Sequence, residues 1–150
     1  MIYNINEKKE LVYDYFRLCF ETWGKEKDPI KAKEIIDTKT KKYLEGKDDN
    51  IISILVLVID NKLAGFISLF KEDGVDEYDY TPWYATMFVD KPYRGNGYSR
   101  LLNDAIKKEA HKLGFKRIYL KSKLVNYYEK FGAVYMTNLS DIEKMYYMDV

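Results

Sequence analysis

One cysteine, one histidine, almost no charge excess and no long apolar run narrow what this 150-residue chain can be. The lone Cys19 allows no intrachain disulfide, which fits a reducing compartment. It falls on the apolar face of a predicted helix, where a thiol packs as a small hydrophobe. His111 sits beside Lys107, Lys108 and Lys112 on the polar side of another predicted helix. It has no metal-ligand spacing to a second His or Cys and supports no Ser-His-Asp arrangement, so no metal is expected. Basic and acidic residues nearly cancel, to a formal net charge of +1. That is not the basic excess of a nucleic-acid binder. The most apolar run, Ile51 to Ile59, falls far short of the ~20 residues of a membrane helix, and Met1 to Glu10 carries no signal-peptide core. No repeat or low-complexity linker interrupts residues 1–150. The expectation is one cytoplasmic domain, monomer or homodimer, without nucleic-acid or membrane partners.

What is present is a patterned succession of elements. Met1 to Ile5 suits a short strand. Asn6 is a plausible N-cap for a helix to about Thr22, with Leu11, Tyr15, Leu18 and Cys19 on one face. Asp28-Pro29 starts a second helix that Gly46 ends. Its lysines are interleaved with Glu34, Asp37 and Glu45, which makes a solvated face. Ile51 to Ile59 is a strand buried on both faces, Asp60-Asn61 a hairpin turn, and Lys62 to Lys71 the return strand. An acidic, aromatic loop from Glu72 to Tyr80 leads to a strand over Thr81 to Val89. Tyr98, Leu101, Leu102, Ala105, Ile106, Ala110 and Leu113 then repeat at helical spacing, and Gly114 closes the helix. Arg117 to Ser122, Ala133 to Thr137 and Lys144 to Asp149 are strands, and Val125 to Phe131 a short helix. This is an α+β layout with one parallel β-α-β crossover.

The richest stretch is the turn between the strand ending at Val89 and the helix starting near Tyr98. Arg94-Gly95-Asn96-Gly97-Tyr98-Ser99-Arg100 places glycines and two arginines at a helix N-terminus. Unpaired N–H groups and the helix dipole favour an anion there, and arginine forks suit phosphate oxygens. A P-loop would need Lys-Ser/Thr after the last glycine, where Tyr98-Ser99 stands. A dinucleotide fingerprint would need a small residue at Arg100 and an acidic-ended strand near Tyr119. Neither reading fits.

The stretch resembles motif A of the GNAT superfamily of N-acetyltransferases, Arg/Gln-x-x-Gly-x-Gly/Ala, from Arg94 to Ser99. Downstream, Tyr128-Glu129-Lys130-Phe131-Gly132-Ala133 is similar to the family's Tyr-Glu-Lys-x-Gly-Phe. Ser99 and Ala133 depart from the pattern, and the Asn-x-x-Ala stretch ahead of the tyrosine is missing, so Asn126 receives no role. The resemblance covers Ile51 to Val150 well and the N-terminal helices loosely. It implies a mixed, largely antiparallel sheet with a central splayed parallel strand pair, flanked by helices on both faces. It also implies acetyl transfer from acetyl-coenzyme A to an amine by direct attack, with Arg94 to Arg100 holding the pyrophosphate. Met87 and Val89 would pair with the pantetheine arm, a backbone N–H near Phe88 or Val89 would stabilise the oxyanion, and Tyr128 would be the general acid. A phenol of pKa ~10 is protonated at neutral pH and can serve a thiolate of pKa ~8.5. Composition alone would make Tyr128 one more core aromatic.

The base is less defined in the sequence. Asp76, Glu77 and Asp79 precede the central strand, and Asp79 is the candidate, against a solvated acidic loop. Carboxylates beside Tyr80, Trp83 and Tyr84 suit a cationic amine, so Glu77, Trp83 and Tyr84 are candidate substrate contacts and a polyamine or aminoglycoside-like acceptor is expected. Trp83 serves equally well as a core residue at a strand entry. The rival function is an acyl-coenzyme A-binding module without catalysis.

Overall fold

A computed structural model describes all residues from Met1 to Val150. Seven strands form one sheet: β1 (Ile2–Asn4), β2 (Ile51–Ile59), β3 (Lys62–Phe70), β4 (Trp83–Val89), β5 (Arg117–Ser122), β6 (Val134–Asn138) and β7 (Lys144–Asp149). Their order is β1-β2-β3-β4-β5-β7-β6, antiparallel at every junction except β4–β5. Helices α1 (Val12–Trp23) and α2 (Pro29–Leu44) precede β2, and α3 (Tyr98–Lys112) makes the crossover from β4 to β5.

The sheet divides the interior into two cores. Alternation along β2 sends Ile54 and Val56 to the α1 side and Leu55 and Leu57 to the α3 side, so both faces of the strand are buried. The β2–β3 hairpin turns at Asp60 and Asn61, with φ of 51° and 61°. Positive φ at both positions is the turn geometry that matches strand twist.

The N-terminal segment differs from the expected single helix. Asn4, not Asn6, is the cap: its side chain accepts from the Asn6 N–H at 3.0 Å. Two 3₁₀ turns follow before α1 begins at Val12. They allow Ile5 and Leu11 to reach the core while the chain changes direction. α1 buries Val12, Tyr15, Phe16 and Leu18, whereas Cys19 is only partly covered. Asp28 caps α2 as expected, accepting from the Ile30 N–H at 3.0 Å.

α3 also corrects the expected apolar stripe. Leu102, Ile106 and Ala110 are buried against the sheet, but Leu101 and Leu113 are 51% and 46% exposed. The sheet-facing row runs through Asn103 instead, which is fully buried. Residue 101 lies off the 102–106–110 line by about one residue's turn, roughly 100°, and Leu113 is exposed because it falls past the last residue of α3. The expected helix over Val125 to Phe131 is only a 3₁₀ turn, Tyr128–Phe131.

Two irregularities in β4 shape the centre of the molecule. Phe88 pairs with Phe66 and Ala85 with Ser68, so Thr86 and Met87 together oppose Ile67. This bulge offsets the alternation: Tyr84, Met87 and Val89 meet the α3-side core, while Phe88 meets the α1-side core. Beside it, β4 and β5 share a single Cα pair, Trp83 with Tyr119. Beyond that pair the two parallel strands part.

Candidate active site

The chain leaves β4 through a short, self-bonded turn. Asp90 accepts from the Lys91 N–H at 2.9 Å and starts a 3₁₀ turn over Lys91–Tyr93. Asn96 Nδ2 donates to the carbonyls of Tyr93 and Arg94 at 3.0 and 3.3 Å. Gly95 and Gly97 take φ of 82° and 79°, and no atom lies within 4 Å of where a Cβ would sit on either. Both conformations favour glycine, and the space beside them is open. Gly97 caps α3 without any side-chain bond. The first backbone bond at this end runs from the Leu101 N–H to the Gly97 carbonyl at 3.3 Å. The N–H groups of Tyr98, Ser99 and Arg100 therefore await an acceptor. Open space, free donors and positive charge fit a pyrophosphate.

The two arginines differ. Arg94 Nε donates to the Val89 carbonyl at 2.7 Å, which leaves its terminal nitrogens exposed beside the turn. Arg100 leans instead toward the second motif, donating to the Lys130 carbonyl at 3.3 Å with its guanidinium 5.2 Å from the Phe131 ring. It ties the start of α3 to the segment that carries Tyr128.

Between the parted strands lies a cavity of about 720 Å³, and Tyr84, Met87 and Tyr128 all line it. The Tyr128 ring meets Tyr84 edge-on at 5.6 Å and Tyr127 at 4.8 Å. Burial, with Tyr127 adding, pushes its phenol up to about 12, so it holds its proton at any physiological pH. Two polar atoms on the α3 side of this region, Tyr84 Oη and Asn103 Oδ1, are buried with no hydrogen-bond partner. Asn103 spends its amide on the Ser99 carbonyl at 2.8 Å, inside the first turn of α3.

The backbone edge of β4 faces the same gap. The Asp90 N–H is taken by the Ala64 carbonyl of β3. Alternation then turns the Val89 groups to the opposite edge, where Arg94 reaches the Val89 carbonyl. The Phe88 ring stacks on Phe66 in the α1-side core, with the Arg94 guanidinium 5.8 Å from its centroid.

The acidic loop is placed differently from expectation. Asp79 lines a second hollow of about 620 Å³ with Asp76, Tyr78, Tyr80 and Trp83, which neither Tyr84 nor Tyr128 enters. Glu77 lines neither space. Trp83 is buried, and its Nε1 donates to the Tyr80 carbonyl at 2.8 Å. Of its two sequence readings, the core one describes it. Rings of Tyr78, Tyr80 and Tyr119 stack in succession at 5.5 and 4.5 Å and close the loop over the β4 entrance. Asp79, Glu77 and Trp83 are thus not brought to Tyr128.

The carboxylates that do share its cavity are Asp73 and Glu143. Burial raises the Asp73 carboxyl to about 6; Glu143 adds to the rise and Lys121 opposes it. Sequence reading passed over Asp73 because it lies only three residues before the acidic run. The informative signal is register: Phe70 pairs with Trp83, so the residues leaving β3 emerge where β4 and β5 part. Tyr15, Ser68 and Thr86 also escaped notice as a group, and Glu143 comes from the turn before β7.

No cluster of three or more potential metal ligands occurs in the structure, and no helix is long and apolar enough to cross a membrane. No curated protein matches the sequence. The fold is similar to that of an N-acetyltransferase from Staphylococcus aureus Mu50, with a TM-score of 0.71 and 18% identity over 99% of this chain and 97% of that one. It is also similar to YhbS, a GNAT family N-acetyltransferase from Escherichia coli solved in complex with CoA (TM-score 0.68, 16% identity, 99% and 80% covered). A third similar structure is aminoglycoside 6′-acetyltransferase type Ii (TM-score 0.63, 18% identity, 99% and 96% covered). Residues 9–133 match the model of the acetyltransferase (GNAT) family, and with the motif-bearing turn, the splayed β4–β5 pair and Tyr128 falling inside that match, the chain belongs to this family.

Proposed function

We propose that the protein transfers an acetyl group from acetyl-coenzyme A to a primary amine of a small molecule that is cationic at the reacting nitrogen. One observation carries this reading: Tyr128 lines the gap between β4 and β5, and Arg100 ties the segment that carries it to the unpartnered N-terminus of α3. Acetyl-coenzyme A supplies an activated acyl thioester. The chain's residues supply the rest. The free N–H groups at residues 98–100 and the Arg94 guanidinium hold the pyrophosphate, and the open β4 edge at Met87 and Val89 accepts the pantetheine amides as an added strand would.

Asp73 and Glu143 attract the ammonium form of the acceptor, and Asp73 takes its proton. A carboxyl raised to about 6 is ionised at neutral pH yet basic enough to draw a proton from an amine. A backbone N–H near Val89 stabilises negative charge that develops on the thioester oxygen. Tyr128 donates its phenolic proton toward the departing sulfur, and the second proton that the nitrogen sheds as the amide forms restores the phenol. A high phenol pKa keeps the proton in place until charge builds on the sulfur beside it.

Thioester consumption with acetyl-coenzyme A is the test, run across amines that differ in charge and size. Small amines carrying a positive charge at the reacting nitrogen should be acetylated. Tight acetyl-coenzyme A binding with no turnover on any amine would favour the non-catalytic binding module, and acetylation confined to neutral amines would remove the role given to the carboxylates.

A further inference from the structure

Opposite the coenzyme side, on the α1 side of β4, three hydroxyls meet inside the protein. Thr86 Oγ1 donates to Ser68 Oγ at 2.6 Å, and Tyr15 Oη lies 2.7 Å from Ser68 Oγ and 3.1 Å from Thr86 Oγ1. Tyr15 comes from α1, Ser68 from β3 and Thr86 from β4, and Tyr15 and Ser68 are fully buried. Thr86 is the bulge residue, and its φ is +51°. For a β-branched side chain this is an outlying, strained conformation, stable only where neighbours enforce it. Hydroxyl bonds reach the Thr86 side chain from two directions, from α1 and from β3.

We propose that Tyr15 is a positioning residue: its hydroxyl, braced by Ser68, holds the Thr86 bulge in its left-handed conformation and so aims the open β4 edge at residues 87–89 toward the reacting thioester. This rests on the acetyltransferase reading above. The geometry explains why the bulge stands at this point. It moves Tyr84 onto the face shared with Met87 and Val89, and it falls where β4 leaves β5. A strand without the extra residue would present these backbone groups with a different tilt, and displacement of about 1 Å at reacting groups can lower rates about a hundred-fold.

The test is a double-mutant cycle. Glycine adopts positive φ without strain, so a glycine at 86 no longer needs the strut. Tyr15→Phe is expected to lower kcat at least about ten-fold in the wild-type background with little change in acceptor KM, and to have little effect in a Thr86→Gly background. Tyr15 also lines the cavity, so a direct contact with the acceptor is the competing explanation. That role predicts a raised acceptor KM of equal size in both backgrounds, and such a result overturns the proposal, as does an unchanged kcat in Tyr15→Phe. Hydrogen exchange provides a readout free of activity. The Phe88 amide, in the ladder with Phe66, should exchange at least about ten-fold faster in Tyr15→Phe at matched global stability; unchanged exchange also overturns the proposal. A wild-type protein that consumes no acetyl-coenzyme A with any amine would sink the functional reading alone, and exchange would still decide this one.

Discussion

Replacing Asp73 by asparagine should make the protein more stable and less active at once. One pKa step is worth about 1.4 kcal/mol. The Asp73 carboxyl is lifted from an ordinary 3.8 to about 6 by burial. Its ionised form therefore costs the fold about 3 kcal/mol above pH 7. The sign follows from proton counting. Between pH about 4 and 6 the folded chain holds a proton that the unfolded chain has released, so stability falls as pH rises through that window and levels off above it. Asparagine has no such transition. In urea titrations Asp73→Asn should gain up to about 3 kcal/mol over wild type at pH 8 and about half of that at pH 5. This gain is already net of the attraction to Lys121, which opposes the rise. In the same variant kcat/KM should fall about 10²-fold or more, and the acidic limb that wild type should show near pH 6 should disappear. A stability change of equal size at both pH values would show that Asp73 is not desolvated. Retention of the acidic limb would show that another group is the base.

Tyr128→Phe should reduce turnover about 10²-fold or more while leaving acetyl-coenzyme A affinity, measured by calorimetry, unchanged; unchanged turnover would remove the general-acid role. Arg94→Ala should weaken acetyl-coenzyme A binding about ten-fold, the loss of roughly one charge-assisted contact, with acceptor KM untouched; equal effects on both substrates would count against the pyrophosphate assignment. Leu102→Ala, at a fully buried position of the α3-side core, should lower unfolding free energy by about 2–5 kcal/mol, read from chemical denaturation.

Legibility in the sequence followed the range of the interaction. The Asp60-Asn61 turn, the Asp28 cap, the two-sided burial of β2 and the glycine turn that starts α3 each depend on residues close in the chain, and each is found where the sequence pointed. The α3 stripe is only partly legible, because counting apolar residues cannot say which line of the helix meets the sheet; Asn103 is buried and Leu101 exposed because packing against β2, β3 and β4 sets that line. The placement of the Asp76–Trp83 segment is hidden for a related reason. Its acidic and aromatic character is real, but the stacked tyrosines and the Trp83–Tyr80 bond hold it over the other hollow. Asp73 and Glu143 are seventy residues apart and meet only through sheet order, which no local pattern encodes. The bulge was equally hidden, since Thr86 in an apolar strand shows no sign of its φ.

The unfavourable features of this fold are gathered in one place, and that supports the assignment without any motif. Asp73 is ionised against its burial. Thr86 holds positive φ in a strand. Tyr84 Oη and Asn103 Oδ1 lack partners. α3 begins on a glycine that offers no capping side chain, although Asp28 caps α2 and Asp90 caps the turn before α3. The first three each cost on the order of 1–3 kcal/mol and the glycine cap a few tenths, which together is large beside a typical total stability of about 5–15 kcal/mol. Scattered defects would suggest a poorly optimised fold. These four belong to β4, to the loop that precedes it and to the helix that follows it, around the single gap in the sheet. Ligand binding would relieve three of them: phosphate oxygens cap α3, an ammonium pairs with Asp73, and the reacting groups fill the space beside Tyr84. The fourth, the Thr86 bulge, is held by Tyr15 and Ser68 from the opposite face, so it persists without ligand. A site that is strained before binding and satisfied by it is organised for the bound state.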